Sequence, residues 1–277
     1  MGLTNLLILL GSGLVAGFLS GLLGVGGGII FAPVLFFYFQ AIGISSAAIA
    51  PLTIGTSLFC TTISALVSGW SQYRKNAVVT RTALSVGIFS ALAVFLMTRF
   101  VTTQPWYDGT VFQIVFSVIL LVVVTRMLIK PRERDQLVAA DPLDASHSWP
   151  ALAGAGTMAG AVASAVGVGG GIVLVPAYSH FLRYPIHIAV GTSSVTVVLI
   201  SFVGVMSYVF EGWGLEATTS SVGYVDVTKA LILSAPAVLT ARLGVHVAHR
   251  INRKALRLSF AVIAAIVAVR LIFRALS

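Results

Sequence analysis

The sequence predicts an all-α integral membrane protein made of two inverted-topology repeats. Three observations predict this fold: the composition, the long apolar segments and a duplicated glycine motif. Of the 277 residues, 58% are hydrophobic and only 9% are charged, whereas a soluble domain carries about 25% charged residues. Strands of a membrane barrel would alternate apolar and polar residues over about ten positions, and these segments do not alternate. We therefore expect spanning helices of about 20 residues.

The glycine motif lies within an apolar segment in each half of the chain. Gly24-Val25-Gly26-Gly27-Gly28, followed by Pro33, is repeated 143 residues later as Gly167-Val168-Gly169-Gly170-Gly171, followed by Pro176. Glycine is unfavourable within a helix unless the backbone must bend or be approached closely. A nucleotide-binding loop does not fit, because Ile29 occupies the third glycine position of that motif and no strand precedes it. We interpret each copy as a helix break within the membrane.

The first repeat, residues 1–129, is predicted to contain a broken helix pair and three spanning helices. Leu3–Leu23 is the long helix of the pair. Gly28–Phe39 follows the break and is only about 18 Å long as a helix, too short for a hydrocarbon core of about 30 Å. It is either a half-helix or a re-entrant segment. The three spanning helices are expected at about Ser45–Gly69, Val79–Arg99 and Gly109–Ile129.

The second repeat, residues 149–277, has the same order. Its broken pair is predicted at Trp149–Val166 and the short Gly171–Leu182. Small residues in the two long helices correspond, and such stripes let another helix approach closely. Duplicated halves with helices broken at matching places are typical of secondary transporters. The matching small residues are Gly13, Gly17 and Gly21 with Gly156, Gly160 and Ser164, and the spanning helices are expected at about His187–Phe210, Tyr224–Val247 and Leu256–Ile272.

Charge predicts the orientation of the repeats. Residues 130–148 contain two prolines and several charges, and we interpret them as a cytoplasmic linker. Loops rich in Lys and Arg stay in the cytoplasm, which places the loops at Arg74 and Arg250 inside. The loop with Glu211 and Glu216 has no Lys or Arg and is expected outside. Equivalent loops then face opposite sides, so the repeats are inverted in a multi-pass protein of the cytoplasmic membrane.

The two breaks are the candidate substrate site. A helix that begins after each break directs free N–H groups and a positive dipole end toward an anion; the alternative is close helix packing alone. Gly55-Thr56-Ser57 recurs as Gly191-Thr192-Ser193. These hydroxyls either donate to an anion without adding charge or bond back to their own helix. The candidate substrate-binding residues are Gly24, Gly26, Gly27, Gly28, Thr56, Ser57, Gly167, Gly169, Gly170, Gly171, Thr192, Ser193 and Arg242.

Arg242 is the one charged candidate. An arginine within a membrane helix is either a functional residue facing a cavity or a side chain that extends to the lipid headgroups. His246 and His249 have no acidic partner nearby, and the sequence contains no H-E-x-x-H or G-x-S-x-G motif. We therefore expect no enzyme activity, metal or cofactor. The net charge of +9 lies at helix ends and loops, where it sets topology and meets headgroups, so no nucleic acid is expected.

Together, these motifs resemble those of the sulfite exporter TauE/SafE family over nearly the whole chain. The resemblance implies a small sulfur-containing anion as substrate: sulfite, thiosulfate, sulfoacetate or a related sulfonate. We predict a secondary transporter that moves this anion by alternating access, with the lipid bilayer as its other partner. An anion channel of the same fold, a non-transport membrane scaffold and a homo-oligomer stay open. The resemblance rests on both glycine motifs with their prolines, Gly17, Gly160, both Gly-Thr-Ser sequences, Pro236, Gly244, His249 and Arg250.

Overall fold

The structure is a computed structural model that describes residues 3–128, 149–215, 217–248 and 265–271. The predicted linker at 130–148 lies outside the described residues. Of the last predicted helix, Leu256–Ile272, only 265–271 are described, and they are helical. Helices make up most of the described chain. They are α1 (Leu3–Leu23), α2 (Gly28–Ala41), α3 (Ser46–Tyr73), α4 (Thr80–Met97), α5 (Gly109–Leu128), α6 (Trp149–Val166), α7 (Gly171–Pro176), α8 (Ile186–Glu211) and α9 (Val227–Ala248).

Among the residues that the structure describes, five helical segments are long and apolar enough to cross a membrane, so the chain is a multi-pass membrane protein. These segments are Leu3–Leu23, Ser46–Tyr73, Thr80–Thr102, Ile186–Glu211 and Val227–Ala248. Large apolar side chains such as Leu7, Ile88, Leu92 and Phe202 are exposed on the outside of the bundle. Contact of such an apolar surface with lipid is favourable, whereas its exposure to water would be unfavourable.

Most predicted elements are confirmed within a few residues. The bounds of α1 and α6 agree with the prediction, and α2 is short, as expected. Two π-helical turns, Thr98–Thr102 and Ala177–Phe181, continue α4 and α7. The main correction concerns the start of α9, which begins at Val227 rather than near Tyr224. A short antiparallel hairpin, β1 (Ser221–Val222) with β2 (Val225–Asp226), occupies the preceding residues.

The first helix of each half packs along a helix of the other half. Ideal Cβ atoms on Gly13, Gly17 and Gly21 of α1 would collide with the backbone carbonyls of Leu233, Ala237 and Ala241 in turn, so α1 and α9 run parallel. In the same way, Gly156 and Gly160 of α6 meet the carbonyls of Val86 and Ser90 in α4. The predicted close approach along the small-residue stripes is therefore confirmed, and it joins the two halves.

α3 and α8 form the centre of the bundle and run antiparallel. Gly55, near the start of α3, lies against Tyr208 near the end of α8, whereas Gly69 lies against Ser194. Most residues of α3 are buried, including polar ones such as Ser64 and Ser68. The two breaks pack against this central pair.

Candidate functional site

The two glycine breaks have the same backbone conformation. We call Gly24–Gly28 the first break and Gly167–Gly171 the second break. Three glycines in each have a positive φ, and the six values lie between 69° and 86°. L-residues with side chains rarely adopt this conformation, which explains why both segments need glycine. All eight candidate glycines are buried, so the non-helical backbone is enclosed by protein.

The breaks lie directly against each other. An ideal Cβ on Gly28 would be 2.5 Å from Val168 Cα, and one on Gly171 would be 2.5 Å from Val25 Cα. The two contacts are reciprocal, because each joins the last glycine of one break to the valine of the other. The two breaks, which the sequence assigns to one candidate substrate site, are therefore in backbone contact. No break residue lines the pocket between the ends of α4 and α8 or the pocket between the ends of α3 and α9.

Several N–H groups at this contact are unused. No hydrogen bond found among the described residues is donated by the backbone N–H of Gly26, Gly27 or Gly28. The same holds for Gly169, Gly170 and Gly171. Buried N–H groups without an acceptor are rare and costly. The breaks therefore bring together two sets of N–H donors, from which one anion could accept hydrogen bonds.

Thr61 lies between the breaks and was missed by the sequence analysis. Ideal Cβ atoms on Gly26 and Gly169 would be 2.6 and 2.7 Å from the Thr61 methyl carbon, and one on Gly28 would be 3.0 Å from Thr61 Oγ1. The side chain is fully buried, and its hydroxyl has no hydrogen-bond partner among the described residues. Val197 occupies the corresponding position of α8 and also contacts both breaks. The hydroxyls of the Gly-Thr-Ser sequences were selected because they recur in both halves. Thr61 does not recur, because the second half has Val197 at the equivalent position.

Ser57 and Ser193 tie each break to the helix of the opposite half. Ser57 Oγ donates to the Gly167 carbonyl at 2.7 Å, and Ser193 Oγ donates to the Gly24 carbonyl at 3.1 Å. Ser64 Oγ also donates to the Gly26 carbonyl, at 2.7 Å. Each bond satisfies a carbonyl that has left the helical ladder. These hydroxyls hold the breaks in position.

Thr56 and Thr192 are matched in a different way. Thr56 Oγ1 accepts the backbone N–H of Asp226 at 2.9 Å, and Thr192 Oγ1 accepts that of Val79 at 3.0 Å. Val79 and Asp226 directly precede α4 and α9, so the two threonines anchor equivalent helix starts. Neither threonine hydroxyl donates a hydrogen bond to any described residue. Direct donation from these two hydroxyls to a ligand stays a prediction.

Two tyrosines stabilise the end of α6 ahead of the second break. Tyr107 Oη donates to the Ala165 carbonyl at 2.7 Å, and Tyr208 Oη donates to the Ser164 carbonyl at 2.8 Å. Tyr107 lies in the connection before α5, and burial raises the pKa of its phenol above the usual value. The phenol therefore stays protonated and keeps its role as a donor.

Asp226 is a buried carboxylate that the sequence analysis did not select. It accepts hydrogen bonds from Thr218 Oγ1 and Ser220 Oγ, each at 2.8 Å, and from the Lys229 backbone N–H at 3.0 Å. Lys229 Nζ lies 3.5 Å from the carboxylate. Its partners are those of a helix N-cap, so the carboxylate closes the hairpin and begins α9.

Arg242 lies apart from the breaks. It is exposed on α9 and lines a pocket with the last turn of α3. None of the glycines or hydroxyls of the candidate site lines that pocket. The structure therefore brings together the breaks, Thr61, Ser57 and Ser193, and it places Arg242 at one end of the bundle.

Ser57→Ala and Ser193→Ala are each expected to lower thermal stability, because each leaves a buried break carbonyl without its donor. The cost of such a group is about 1–3 kcal/mol. Ser201→Ala is the matched control, since Ser201 is equally buried in α8 but bonds only to carbonyls of its own helix. The apparent unfolding temperature of each purified variant in detergent measures the effect. Equal, small changes in all three variants would contradict a role for Ser57 and Ser193 in holding the breaks.

The comparison with known families fits this arrangement. The family model described as "Sulfite exporter TauE/SafE" matches residues 9–271. The chain belongs to the TauE/SafE family. The matched residues include both breaks, both Gly-Thr-Ser sequences and all the described helices except the start of α1. The family description and the names of the relatives indicate a membrane transporter rather than an enzyme.

Curated relatives of this TauE/SafE chain carry matching names. A probable membrane transporter protein of Methanocaldococcus jannaschii is 28% identical, over 89% of this chain and 87% of that protein. A probable membrane transporter protein of Haemophilus influenzae is 25% identical, over 98% of this chain and 99% of its own length. The probable membrane transporter protein YunE of Bacillus subtilis is 22% identical, over 97% and 98%. No solved structure shows a significant match to the chain.

Proposed function

We propose that this TauE/SafE protein is a secondary transporter that moves a small sulfur-containing anion across the cytoplasmic membrane by alternating access. The observation that carries the proposal is the buried contact between two glycine breaks with unused N–H groups. The substrate class is sulfite, thiosulfate, sulfoacetate or a related sulfonate, in keeping with the family description. The N–H groups of both breaks and the Thr61 hydroxyl are proposed to bind the anion together.

The donors at the contact between the breaks suit an anion that must be bound and then released in each transport cycle. A buried charge without partners is very costly, so the anion needs several donors once it leaves water. Backbone N–H groups and a hydroxyl supply these donors without adding a fixed positive charge. Binding can therefore be selective for an anion and still weak enough for release. The Ser57 and Ser193 hydroxyls act from outside this set by holding the break carbonyls.

The close contact of the breaks favours a transporter over a channel. The backbones at Gly28 and Val168 touch, so an ion cannot pass between them unless the backbones separate. Alternating access supplies such a separation once per cycle, whereas a channel needs a continuous path. Secondary transporters with paired broken helices bind their substrates where the two repeats meet.

Inverted orientation of the two halves is the second part of this proposal. α3 is antiparallel to its equivalent α8, as the contacts of Gly55 and Gly69 indicate. α1 runs parallel to α9, and its equivalent α6 runs parallel to α4. The antiparallel direction of α3 and α8 and the charge of the loops both favour repeats of opposite orientation.

Flux measurements in proteoliposomes test the function. Purified protein is reconstituted, and uptake of labelled sulfite, thiosulfate, sulfoacetate and taurine is measured with and without a pH gradient. We expect saturable uptake of at least one sulfur anion, which unlabelled anion on the opposite side accelerates. Flux that never saturates and does not respond to anion on the opposite side would favour the channel. Absence of any flux would favour the scaffold.

Topology can be tested with single cysteines at two places. Ser146→Cys, in the predicted cytoplasmic linker, should not react with an impermeant thiol reagent applied outside intact cells. Thr219→Cys, exposed before the hairpin, should react. Cys60 is buried and gives little background. If both cysteines react from the same side, the proposed inverted topology is wrong.

A further inference from the structure

A pocket at one end of the bundle gathers basic side chains from two helices. Its volume is about 270 Å³, and it is bounded by the last turn of α3 and the loop that follows, and by α9 near its end. Lys75 Nζ lies 3.4 Å from the Val245 carbonyl, which fixes the loop against α9. No described carboxylate forms an ion pair with the Arg or Lys residues of this pocket. We call it the basic pocket, and its lining residues are Trp70, Ser71, Arg74, Lys75, Arg242, Val245 and His246.

The other end of the bundle has an equivalent pocket, which is lined mainly by apolar side chains. It lies between the ends of α8 and α4, and its lining residues are Phe95, Thr98, Val203, Met206, Ser207, Phe210 and Glu211. We align α3 with α8 by their Gly-Thr-Ser sequences, and α4 with α9 by their first residues. Arg74, Lys75 and Arg242 then correspond to Phe210, Glu211 and Phe95. Glu211 is already paired, with Arg99 at 2.9 Å. A pocket therefore forms at this place in both halves whether or not basic side chains line it. Of the two pockets, only the basic pocket is lined by Arg and Lys.

The position of the basic pocket is that of the membrane surface. It lies at the ends of two spanning helices, and Trp70 and Tyr73 beside it are 63% and 54% exposed. Their rings stack with centroids 6.2 Å apart. Exposed aromatic side chains at helix ends mark the level of the lipid headgroups. A tetrahedral oxyanion at this level can accept hydrogen bonds from arginine and lysine together.

We propose that the basic pocket binds the phosphate group of an anionic phospholipid. Arg74 and Lys75 contact this phosphate from the α3 side and Arg242 contacts it from the α9 side, so the bound lipid joins the two helices at this end. Free inorganic phosphate offers the same oxyanion chemistry but lacks the acyl chains that would lie along the exposed apolar surface beside Trp70. The proposal is independent of transport at the breaks, and its test requires no substrate.

Native mass spectrometry of the purified protein in detergent tests the proposal. Phosphatidylglycerol, phosphatidylcholine and inorganic phosphate are titrated separately, and binding constants are compared. We expect phosphatidylglycerol to bind more tightly than phosphatidylcholine, and the combined change Arg74→Gln and Arg242→Gln to weaken it roughly tenfold or more. Arg81→Gln is the matched control, because Arg81 is exposed at the same end of the bundle but lies outside the pocket. The single change Arg242→Gln should weaken binding by a smaller factor.

Two results would overturn the proposal. One is phosphatidylglycerol binding that Arg74→Gln and Arg242→Gln leave unchanged, or weaken no more than Arg81→Gln does. The other is tight binding of inorganic phosphate without preferential binding of phosphatidylglycerol, which would make the pocket a site for a soluble anion. The substituted side chains are exposed, so the variants should fold. Equal thermal stability in detergent without added lipid checks this.

Discussion

Gly28→Ala and Gly171→Ala should each reduce the initial transport rate by about a hundredfold or more. Neither glycine has a positive φ, so alanine suits the local backbone. The added methyl would instead lie 2.5 Å from the opposite break, at Val168 Cα or Val25 Cα, and it must push the two breaks apart. Displacing groups that act together by about 1 Å can reduce a rate by about that factor. Initial uptake rates of the labelled anion in proteoliposomes measure this loss.

The control for both variants is Gly154→Ala in α6. An added Cβ on Gly154 would meet no other atom within 4 Å, so transport should be unchanged. Extra atoms in a packed interior cost about 1–3 kcal/mol, and the amount of folded protein in the membrane must therefore be compared. Folded Gly28→Ala and Gly171→Ala proteins that transport at the wild-type rate would show that contact between the breaks is a packing feature only.

Thr61→Val should weaken the binding of the transported anion by about 1–3 kcal/mol, or about 5–150-fold. The same change should leave the thermal stability unchanged or raise it, because it removes a buried hydroxyl that has no partner among the described residues. A loss of affinity together with equal or greater stability is the expected result of removing a group that only the ligand uses. Substrate-dependent thermal shifts and transport kinetics measure the two quantities.

Thr53→Val provides a matched control on the same helix. Thr53 is also fully buried in α3, and its hydroxyl also lacks a partner among the described residues. It contacts neither break through a hydrogen bond, and it lies about two helical turns before Thr61. Its substitution should affect stability in the same way and leave anion affinity unchanged. If Thr61→Val and Thr53→Val behave alike, Thr61 is not part of the anion site.

Most of the helical framework could be predicted because its causes are local. Long apolar segments give α1 and α6 with the bounds that the structure shows, and the glycine motifs mark the breaks through their backbone conformation. The hairpin before α9 could not be predicted in this way. Its two-residue strands are too short for a sequence pattern. A long-range bond from the Asp226 N–H to Thr56 holds its last residue.

The candidate site was predicted only in part, for a similar reason. Repetition selected both breaks and both Gly-Thr-Ser sequences, and the structure shows that the equivalent serines make matching contacts in the two halves. Repetition cannot reveal a residue that differs between the halves, and Thr61 corresponds to Val197. Nor does sequence distinguish a hydroxyl that binds a ligand from one that bonds to a distant carbonyl. Ser57 and its acceptor at Gly167 are separated by 110 residues.

A crystal structure with a selenium analogue of the transported anion tests the central claim most directly. If sulfite is the substrate, selenite is the analogue, and the anomalous scattering of selenium locates it. We predict one site between the breaks, with the anion oxygens within hydrogen-bond distance of the N–H groups of Gly26–Gly28 and Gly169–Gly171 and of Thr61 Oγ1. Selenium found only in the basic pocket, or absent between the breaks at concentrations that saturate transport, would contradict a single anion site at the glycine breaks.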